Sequence, residues 1–209
     1  MSHSWWSKTH GVDHQPLDSE FYRHVFDMLL RLRANFMWPA MWKSFVPRPG
    51  NIFFTDDPDN IQLADDYGIV VSTSHHEPMQ RATNEWNEQK NGPWDWEHNK
   101  DNVAAFMKDG ITRTAMNESY YTLGMRGPTD GPIPGDDPIG ILRDVFKTQR
   151  EMLSDYYGDI KSVNRKWALA TFQDSWLTTC RGVDDIQGGY DLLRSGPGPS
   201  RRCHPHVYG

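Results

Sequence analysis

Apolar residues recur at helical spacing in four segments of the chain, and a short apolar run follows each of the first three. In the first segment these residues are Phe21, Val25, Leu29 and Leu32. Their spacing predicts a helix over residues 19–33 with one buried face. Asp18 or Ser19 can cap this helix by accepting a hydrogen bond from its first turn. The apolar run over residues 34–38 predicts a buried strand, which Pro39 ends.

The same order of helix and strand is repeated along the chain. The further predicted elements are helices over residues 57–67, 99–116 and 139–157, and strands over residues 69–73 and 120–125. Strands that alternate with helices form a mostly parallel sheet, either open or closed into a barrel. The expected fold class is therefore α/β.

Polar and aromatic residues follow each of the three predicted strands. The three segments are residues 38–43, 74–79 and 126–131, and their candidate residues are Trp38, Trp42, Lys43, His75, His76, Glu77, Arg126 and Asp130. In parallel α/β folds the carboxyl ends of the strands form the face where ligands bind. We therefore expect indole rings, imidazoles, cations and two carboxyl groups to meet on one face.

Each candidate also has a structural interpretation. Trp38 and Trp42 are compatible with an ordinary core, and the two histidines with one capping and one buried side chain. Asp130 stands in a loop rich in Gly and Pro, where Asp often forms turns. Glu77 is harder to explain in this way, because burying a carboxylate without a partner is costly.

Composition and charge exclude some classes of function. The 209 residues include 22 Lys and Arg against 28 Asp and Glu, which gives a formal charge of −6 and argues against nucleic acid as a partner. No apolar run approaches the roughly 20 residues of a membrane span. The N-terminal residues do not predict a secretory signal, and two cysteines leave the redox compartment open.

Several long segments resemble glycoside hydrolase family 115, the α-glucuronidases. Residues 29–42 are similar to the family segment "LLRLKANxLWPAMW", and residues 73–79, 92–95 and 123–127 match further family segments in the same order. The agreement in order and spacing extends over about residues 5–169. The resemblance implies a catalytic (βα)8 barrel of the TIM type within a longer protein, and it implies no metal and no organic cofactor.

The resemblance also implies a reaction and a substrate. Family members release glucuronic acid or 4-O-methyl-glucuronic acid, linked α-1,2 to xylose, from glucuronoxylan with inversion at the anomeric carbon. The expected partner is glucuronoxylan or a xylo-oligosaccharide that bears glucuronic acid. An extracellular location is expected from the family. The oligomeric state stays open.

An inverting glycosidase needs an acid and a base, with their carboxyl groups roughly 6.5–9.5 Å apart. We expect Glu77 to act as the acid or to bind substrate and Asp130 to act as the base, although the two roles could be reversed. The other implied substrate-binding residues are Asn35, Trp38, Trp42, Lys43, His75, His76 and Arg126. Among them, cations would bind the substrate carboxylate and indole rings would line the sugar.

The chain departs from the family pattern at both ends. The family strand "FINDE" before the Trp-rich segment is absent, and beyond Leu169 either Asp185 replaces a family Glu or the intervening stretch is translated intron. Codons for residues 194–208 can be chosen so that a reading frame shifted by one base resembles the next family strand. We therefore expect a barrel incomplete at both ends over residues 1–193 and a disordered, out-of-frame tail over residues 194–209.

These departures predict a fragment that is inactive as a separate chain. Three alternatives stay open at this stage: a carbohydrate-binding remnant without turnover, a non-functional product of a damaged gene, and a metal-dependent hydrolase. The third would use His75, His76 and Asp130 as ligands. Adjacent residues of a strand point to opposite faces, which makes joint coordination by the two histidines awkward.

Overall fold

The computed structural model describes residues 2–12, 16–42, 50–114 and 117–158. The described part is mostly helical with a small parallel sheet. Its helices are α1 (Ser2–Thr9), α2 (Ser19–Arg31), α3 (Phe53–Asp56), α4 (Asp59–Asp66), α5 (Glu88–Asn91), α6 (Trp96–Thr114) and α7 (Pro138–Tyr157). Its strands are β1 (Phe36–Met37) and β2 (Val70–Val71), and short 3-10 turns cover Pro78–Gln80, Thr83–Glu85 and Pro128–Asp130. None of the described helices is long and apolar enough to cross a membrane.

Helix α2 begins and ends for identifiable reasons. The Asp18 carboxylate accepts a hydrogen bond of 3.0 Å from the Phe21 N–H, as expected of an N-cap residue. The helix ends at Arg31, because Arg33 adopts a positive φ of 60° and turns the chain toward β1. Leu32, which was predicted to lie on the buried face, is therefore outside the helix and 70% exposed.

Strands β1 and β2 pair in parallel, with Phe36 opposite Val70 and Met37 opposite Val71. Their positions confirm the centres of the two predicted strands, although both strands are shorter than predicted. The Val70 N–H donates to the Asn35 carbonyl at 2.8 Å, and the Ser72 N–H donates to the Met37 carbonyl at 3.1 Å. Both carboxyl ends therefore lie on the same side of the sheet.

The predicted strand over residues 120–125 is wrong, because the segment forms only an isolated parallel bridge between Val71 and Ser119. Beyond this bridge its backbone is hydrogen-bonded elsewhere. The buried Gln149 side chain on α7 accepts from the Gly124 N–H at 2.7 Å and donates to the Gly124 carbonyl at 2.8 Å. A side-chain amide thus replaces a neighbouring strand. The bridge is parallel, so the segment runs beside β2 in the same direction. Its carboxyl end therefore lies beside the carboxyl ends of β1 and β2.

Two apolar cores flank the sheet. The first core includes Trp6, Tyr22, Phe26, Phe53 and Ile69, and lies around α1, α2, α3 and α4. The second core includes Met107, Ile111, Tyr121, Val145 and Leu153, and lies between α6 and α7. The helices predicted over residues 57–67, 99–116 and 139–157 are confirmed within a few residues as α4, α6 and α7. The chain between the two cores carries the candidate functional residues.

Candidate functional site

Glu77 is a buried carboxylate that lies just beyond β2. Its side chain is 1% exposed and accepts a short hydrogen bond from the Ser74 hydroxyl. The Trp42 indole N–H reaches the same carboxylate oxygen at 3.1 Å and the Ser74 oxygen at 3.2 Å. Trp42 is itself 54% exposed, so its polar edge points inward while much of the ring remains open to solvent. The ring is thus available beside a buried acidic group.

Asp130 is a second carboxylate, and a guanidinium and two imidazoles lie around it. Arg126 donates from Nε to its Oδ1 at 2.8 Å and from Nη2 to its backbone carbonyl at 2.7 Å. His75 Nε2 lies 3.2 Å from Oδ1, and His76 Nδ1 lies 3.9 Å from the same oxygen. The Asp130 side chain is 42% exposed. Water can therefore reach this carboxylate.

The surroundings of Asp130 favour its ionised form. Partial burial acts to raise the pKa of Asp130, but the hydrogen bonds from His75 and Arg126 outweigh it and hold the pKa below the ordinary value. The charges of the same two side chains act in the same direction. Asp130 is therefore a carboxylate, rather than a carboxylic acid, at neutral pH.

The loop that carries Asp130 depends on a glycine. The Gly127 N–H donates to the Gly131 carbonyl at 3.0 Å and closes a tight turn. A Cβ atom at Gly127 would lie 1.8 Å from the Pro132 carbonyl oxygen, which is far inside contact distance. Asp130 itself has a φ of 63°, a left-handed conformation that Asp tolerates better than most residues. The sequence around Asp130 thus supports one loop conformation.

His76 lies near both carboxyl groups. Burial lowers the pKa of the His76 imidazole below its ordinary value, while the charges of Glu77 and Asp130 both act to raise it. Both carboxyl groups are therefore near one imidazole, and they face the same part of the molecule. This arrangement agrees with the expectation that parallel segments bring their ends to one face.

The structure brings together six of the nine predicted site residues, namely Trp42, His75, His76, Glu77, Arg126 and Asp130. Trp38 is half-buried and packs against the first core. Asn35 is exposed at the amino end of β1, where its carbonyl bonds to β2, so it lies away from the cluster at the opposite end of the strand. Lys43 lies outside the described residues, as do residues 159–193 and the predicted tail over residues 194–209.

Sequence reasoning missed two residues that support the site. Ser74 bonds to Glu77 three positions later, a local spacing that could have indicated this contact. The buried Trp94 donates its indole N–H to the Arg126 carbonyl at 2.8 Å. Only the tertiary structure brings Trp94 near Arg126, because 32 positions separate them in the sequence.

A metal centre receives no support from the described ranges. Within them, no group of three or more His, Cys, Asp or Glu side chains is arranged to hold a metal ion. The Asp130 carboxylate is instead bonded to Arg126 and His75, and a guanidinium at 2.8 Å would repel a cation.

Comparison with known proteins identifies the family of the chain. A family model described as Glycosyl hydrolase family 115 matches residues 1–182 of the 209 residues. The class of protein is therefore a hydrolase of glycosidic bonds. The chain belongs to glycosyl hydrolase family 115, which confirms the resemblance found in the sequence. No curated protein sequence matches the chain.

Proposed function

We propose that this glycosidase releases α-1,2-linked glucuronic acid or 4-O-methyl-glucuronic acid from glucuronoxylan with inversion. The observation that carries the proposal is the pair of carboxyl groups in contrasting surroundings beside His76. An inverting mechanism requires one carboxyl group that gives a proton and a second that takes one from water. An acidic sugar also requires cationic or hydrogen-bonding groups near the reacting bond.

The surroundings of the two carboxyl groups support a division of roles. Asp130 is held ionised and is accessible to water, so it takes the base role and removes a proton from the attacking water. Glu77 starts the reaction as the protonated carboxylic acid, gives its proton to the leaving glycosidic oxygen and is left as a carboxylate. The new bond joins the water oxygen to the anomeric carbon on the face opposite the departing xylose.

Groups around the two carboxyl groups suit a uronic acid. Arg126, His75 and His76 provide donors for the substrate carboxylate. Arg126 and His75 bond to Asp130 in the described structure, and His76 Nδ1 lies 3.9 Å from it. The exposed ring of Trp42 offers an apolar face for the sugar. These features favour a charged sugar over a neutral one.

The fold supports a (βα)8 barrel of the TIM type as the setting of this site. Helices alternate with extended segments that run parallel, and the candidate residues lie beyond their carboxyl ends. Phe36 on β1 and Leu32 before it are exposed apolar side chains that further barrel strands would cover.

The test is hydrolysis of a xylo-oligosaccharide that bears 4-O-methyl-glucuronic acid by the 209-residue chain. Proton NMR during the reaction would show the β-anomer of the released sugar first, because the bond in the substrate is α. Glu77→Gln and Asp130→Asn should each slow release by about 10²–10⁴-fold, and a chelator should not affect it. The matched control is Asp144→Asn, which changes a carboxylate that bonds to Lys100 and Trp96. Release that persists at an unchanged rate in both site variants would refute the proposed roles.

A second candidate function is carbohydrate binding without turnover. The exposure of Trp42 favours it, since a stacking ring suffices to bind a sugar. Titration with glucuronic acid separates the candidates: saturable binding that Trp42→Ala abolishes, together with no sugar release, would support binding alone.

A further inference from the structure

The segment after Glu77 has an unusual backbone. Met79 and Gln80 are consecutive residues with positive φ values of 58° and 60°, and neither is glycine. The left-handed region is unfavourable for side chains of this size, and it persists only when the surroundings hold it. Contacts with the rest of the structure must therefore hold residues 78–80, and Glu77 before them, in this conformation.

Some of these contacts join residues 78–80 to the sheet region and to α6. The Met79 N–H donates to the Thr122 carbonyl at 2.9 Å. The Gln80 amide donates to the Val71 carbonyl at 3.2 Å and to the Tyr120 carbonyl at 2.7 Å. Gly110 on α6 allows close approach, because a Cβ there would lie 1.9 Å from the Met79 carbonyl oxygen. These contacts fix the start of the segment.

A cluster of charged side chains holds the C-terminal end of residues 78–80. We call Arg81, Glu85 and Arg113 the arginine clamp. The Glu85 side chain is 8% exposed, and its Oε1 lies 2.7 Å from Arg113 Nη1 and 3.5 Å from Arg81 Nη2. Its other oxygen accepts from the Ala82 N–H at 2.7 Å. Arg113 also donates to the Gln80 carbonyl at 2.5 Å, directly on the left-handed segment.

The clamp also connects the two apolar cores. The Arg81 guanidinium lies 3.9 Å from the ring centre of Phe106, which belongs to the second core. The Arg113 guanidinium lies 4.4 Å from the ring centre of Phe54, which belongs to the first core. Stacking and cation–π attraction therefore hold each cation against a different core.

A buried ion cluster of this kind adds little stability compared with an apolar core of the same shape, because desolvation offsets its Coulomb attraction. Its directional hydrogen bonds instead favour one conformation of the backbone at residues 80–82. The clamp touches neither Glu77 nor Asp130 in these contacts, and it acts on the backbone that follows Glu77.

We propose that Arg81, Glu85 and Arg113 are positioning residues for Glu77, which hold the left-handed segment so that Glu77 stays bonded to Ser74 and Trp42. The proposal rests on the proposed function for its catalytic meaning, since it assigns the clamp to the acid. It concerns the position of Glu77, and a spectroscopic measurement can test it without sugar release.

The experiment uses the Trp42 indole N–H of the 209-residue chain as a reporter in ¹⁵N–¹H spectra. Trp42→Phe assigns the resonance by removing it. Glu77→Gln shows whether the resonance senses the Glu77 carboxylate, as the 3.1 Å hydrogen bond requires. Glu85→Gln and Arg113→Lys then weaken the ion pairs of the clamp, while each side chain keeps the same or a similar size.

We expect both clamp variants to shift the Trp42 indole resonance toward its position in Glu77→Gln. We also expect exchange of the Glu77 and Met79 amide protons to accelerate by about tenfold, which reflects easier local opening. Neither amide bonds to the clamp, because their acceptors are the carbonyls of Ser74 and Thr122. Should Glu85→Gln unfold the chain, Arg113→Lys decides by the same two measurements.

Asp144→Asn is the control for a purely structural effect, because it breaks the ion pair of Lys100 and Asp144 between α6 and α7. It should leave the Trp42 resonance unchanged. An unchanged resonance and unchanged exchange in folded clamp variants would overturn the positioning role, and so would an equal response in Asp144→Asn. If the resonance ignored Glu77→Gln itself, the site geometry behind the proposed function would fail instead.

Discussion

Glu77 and Asp130 carry the same chemical group, but their surroundings differ in burial, charge and backbone. Glu77 is buried and accepts hydrogen bonds from a hydroxyl and an indole. Asp130 is partly exposed and bonds to a guanidinium and an imidazole. Despite partial burial, the hydrogen bonds from His75 and Arg126 hold the pKa of Asp130 below its ordinary value, whereas the hydroxyl and the indole that bond to Glu77 carry no charge. Under the proposed function, these two settings correspond to the acid and the base of one reaction.

The two groups also differ in how the chain supports them. Glu77 is followed by a segment that the sheet, α6 and the arginine clamp hold from several sides. Asp130 stands in a short loop that is closed by the hydrogen bond from the Gly127 N–H to the Gly131 carbonyl. Arg126, four positions earlier in the chain, bonds to the Asp130 side chain. Long-range packing therefore supports the first carboxyl group, and local geometry supports the second.

The largest expected effect comes from removing either carboxyl group. Asp130→Asn and Glu77→Gln should each lower kcat by about 10²–10⁴-fold, because each removes one proton transfer. The comparison predicts a further difference between them. A substrate with a better leaving group needs less protonation, so it should restore activity to Glu77→Gln and not to Asp130→Asn. Equal restoration would reverse or refute the assigned roles.

Ser74→Ala should destabilise the protein, because it removes the hydroxyl that bonds to a buried carboxylate. The expected loss in the free energy of unfolding is about 1–3 kcal/mol, measured by urea denaturation. Thr73→Val is the matched control, because the buried Thr73 hydroxyl has no hydrogen-bond partner in the described part of the chain. A loss of the same size in Thr73→Val would mean that general packing, rather than the bond to Glu77, explains the effect.

Substitutions of Trp42 should separate stacking from hydrogen bonding. Trp42→Ala should weaken binding of glucuronic acid by about 1 kcal/mol, since the ring face is lost. Trp42→Phe keeps a ring and removes the N–H, so it should retain most of the binding while it disturbs Glu77. Calorimetry measures the binding. Identical losses in the two variants would show that the indole N–H, and not the ring, binds the sugar.

The smallest expected effect is on the pH dependence of stability. The pKa of Asp130 is lower in the folded state, so its contribution is present above the ordinary Asp value of about 3.9 and is lost as pH falls through the lower folded pKa. Asp130→Asn should therefore have a flatter stability profile below about pH 4 than the unchanged chain. Thermal unfolding at several pH values measures this, and parallel profiles would contradict the ion contacts of Asp130.

Local rules predicted α2, α4, α6 and α7, because the signals for these helices are contained in neighbouring residues, but they missed α1, α3 and α5. The Asp18 cap and the apolar repeat of α2 are examples, and α7 begins after the Asp137 cap with Pro138 in its first turn. The same rules misplaced Leu32, because a left-handed Arg33 ends the periodic segment. They also predicted a third strand, where the side chain of Gln149 bonds to the backbone instead.

The sequence predicted the positions of site residues that follow from the order of helices and strands. It did not predict the contacts that depend on side-chain packing. Parallel segments deliver residues such as Glu77 and Asp130 to one face, and this follows from the order of helices and strands. The position of Asn35 at the amino end of β1 also follows from the order of the chain. The contact of Trp94 with the Arg126 carbonyl depends on packing instead, and no sequence pattern marks it.

The sequence alone determined the four predicted helices, the parallel direction of the extended segments, the two candidate carboxyl groups and the family. These depend on short-range spacing and on motifs that stand in continuous stretches. Only the tertiary structure decided which carboxyl group is buried, which one cations hold ionised, and that Arg113 reaches across 28 positions to Glu85. Burial and charge arise from residues that are distant in the sequence, and their contacts exist only once the two cores have packed.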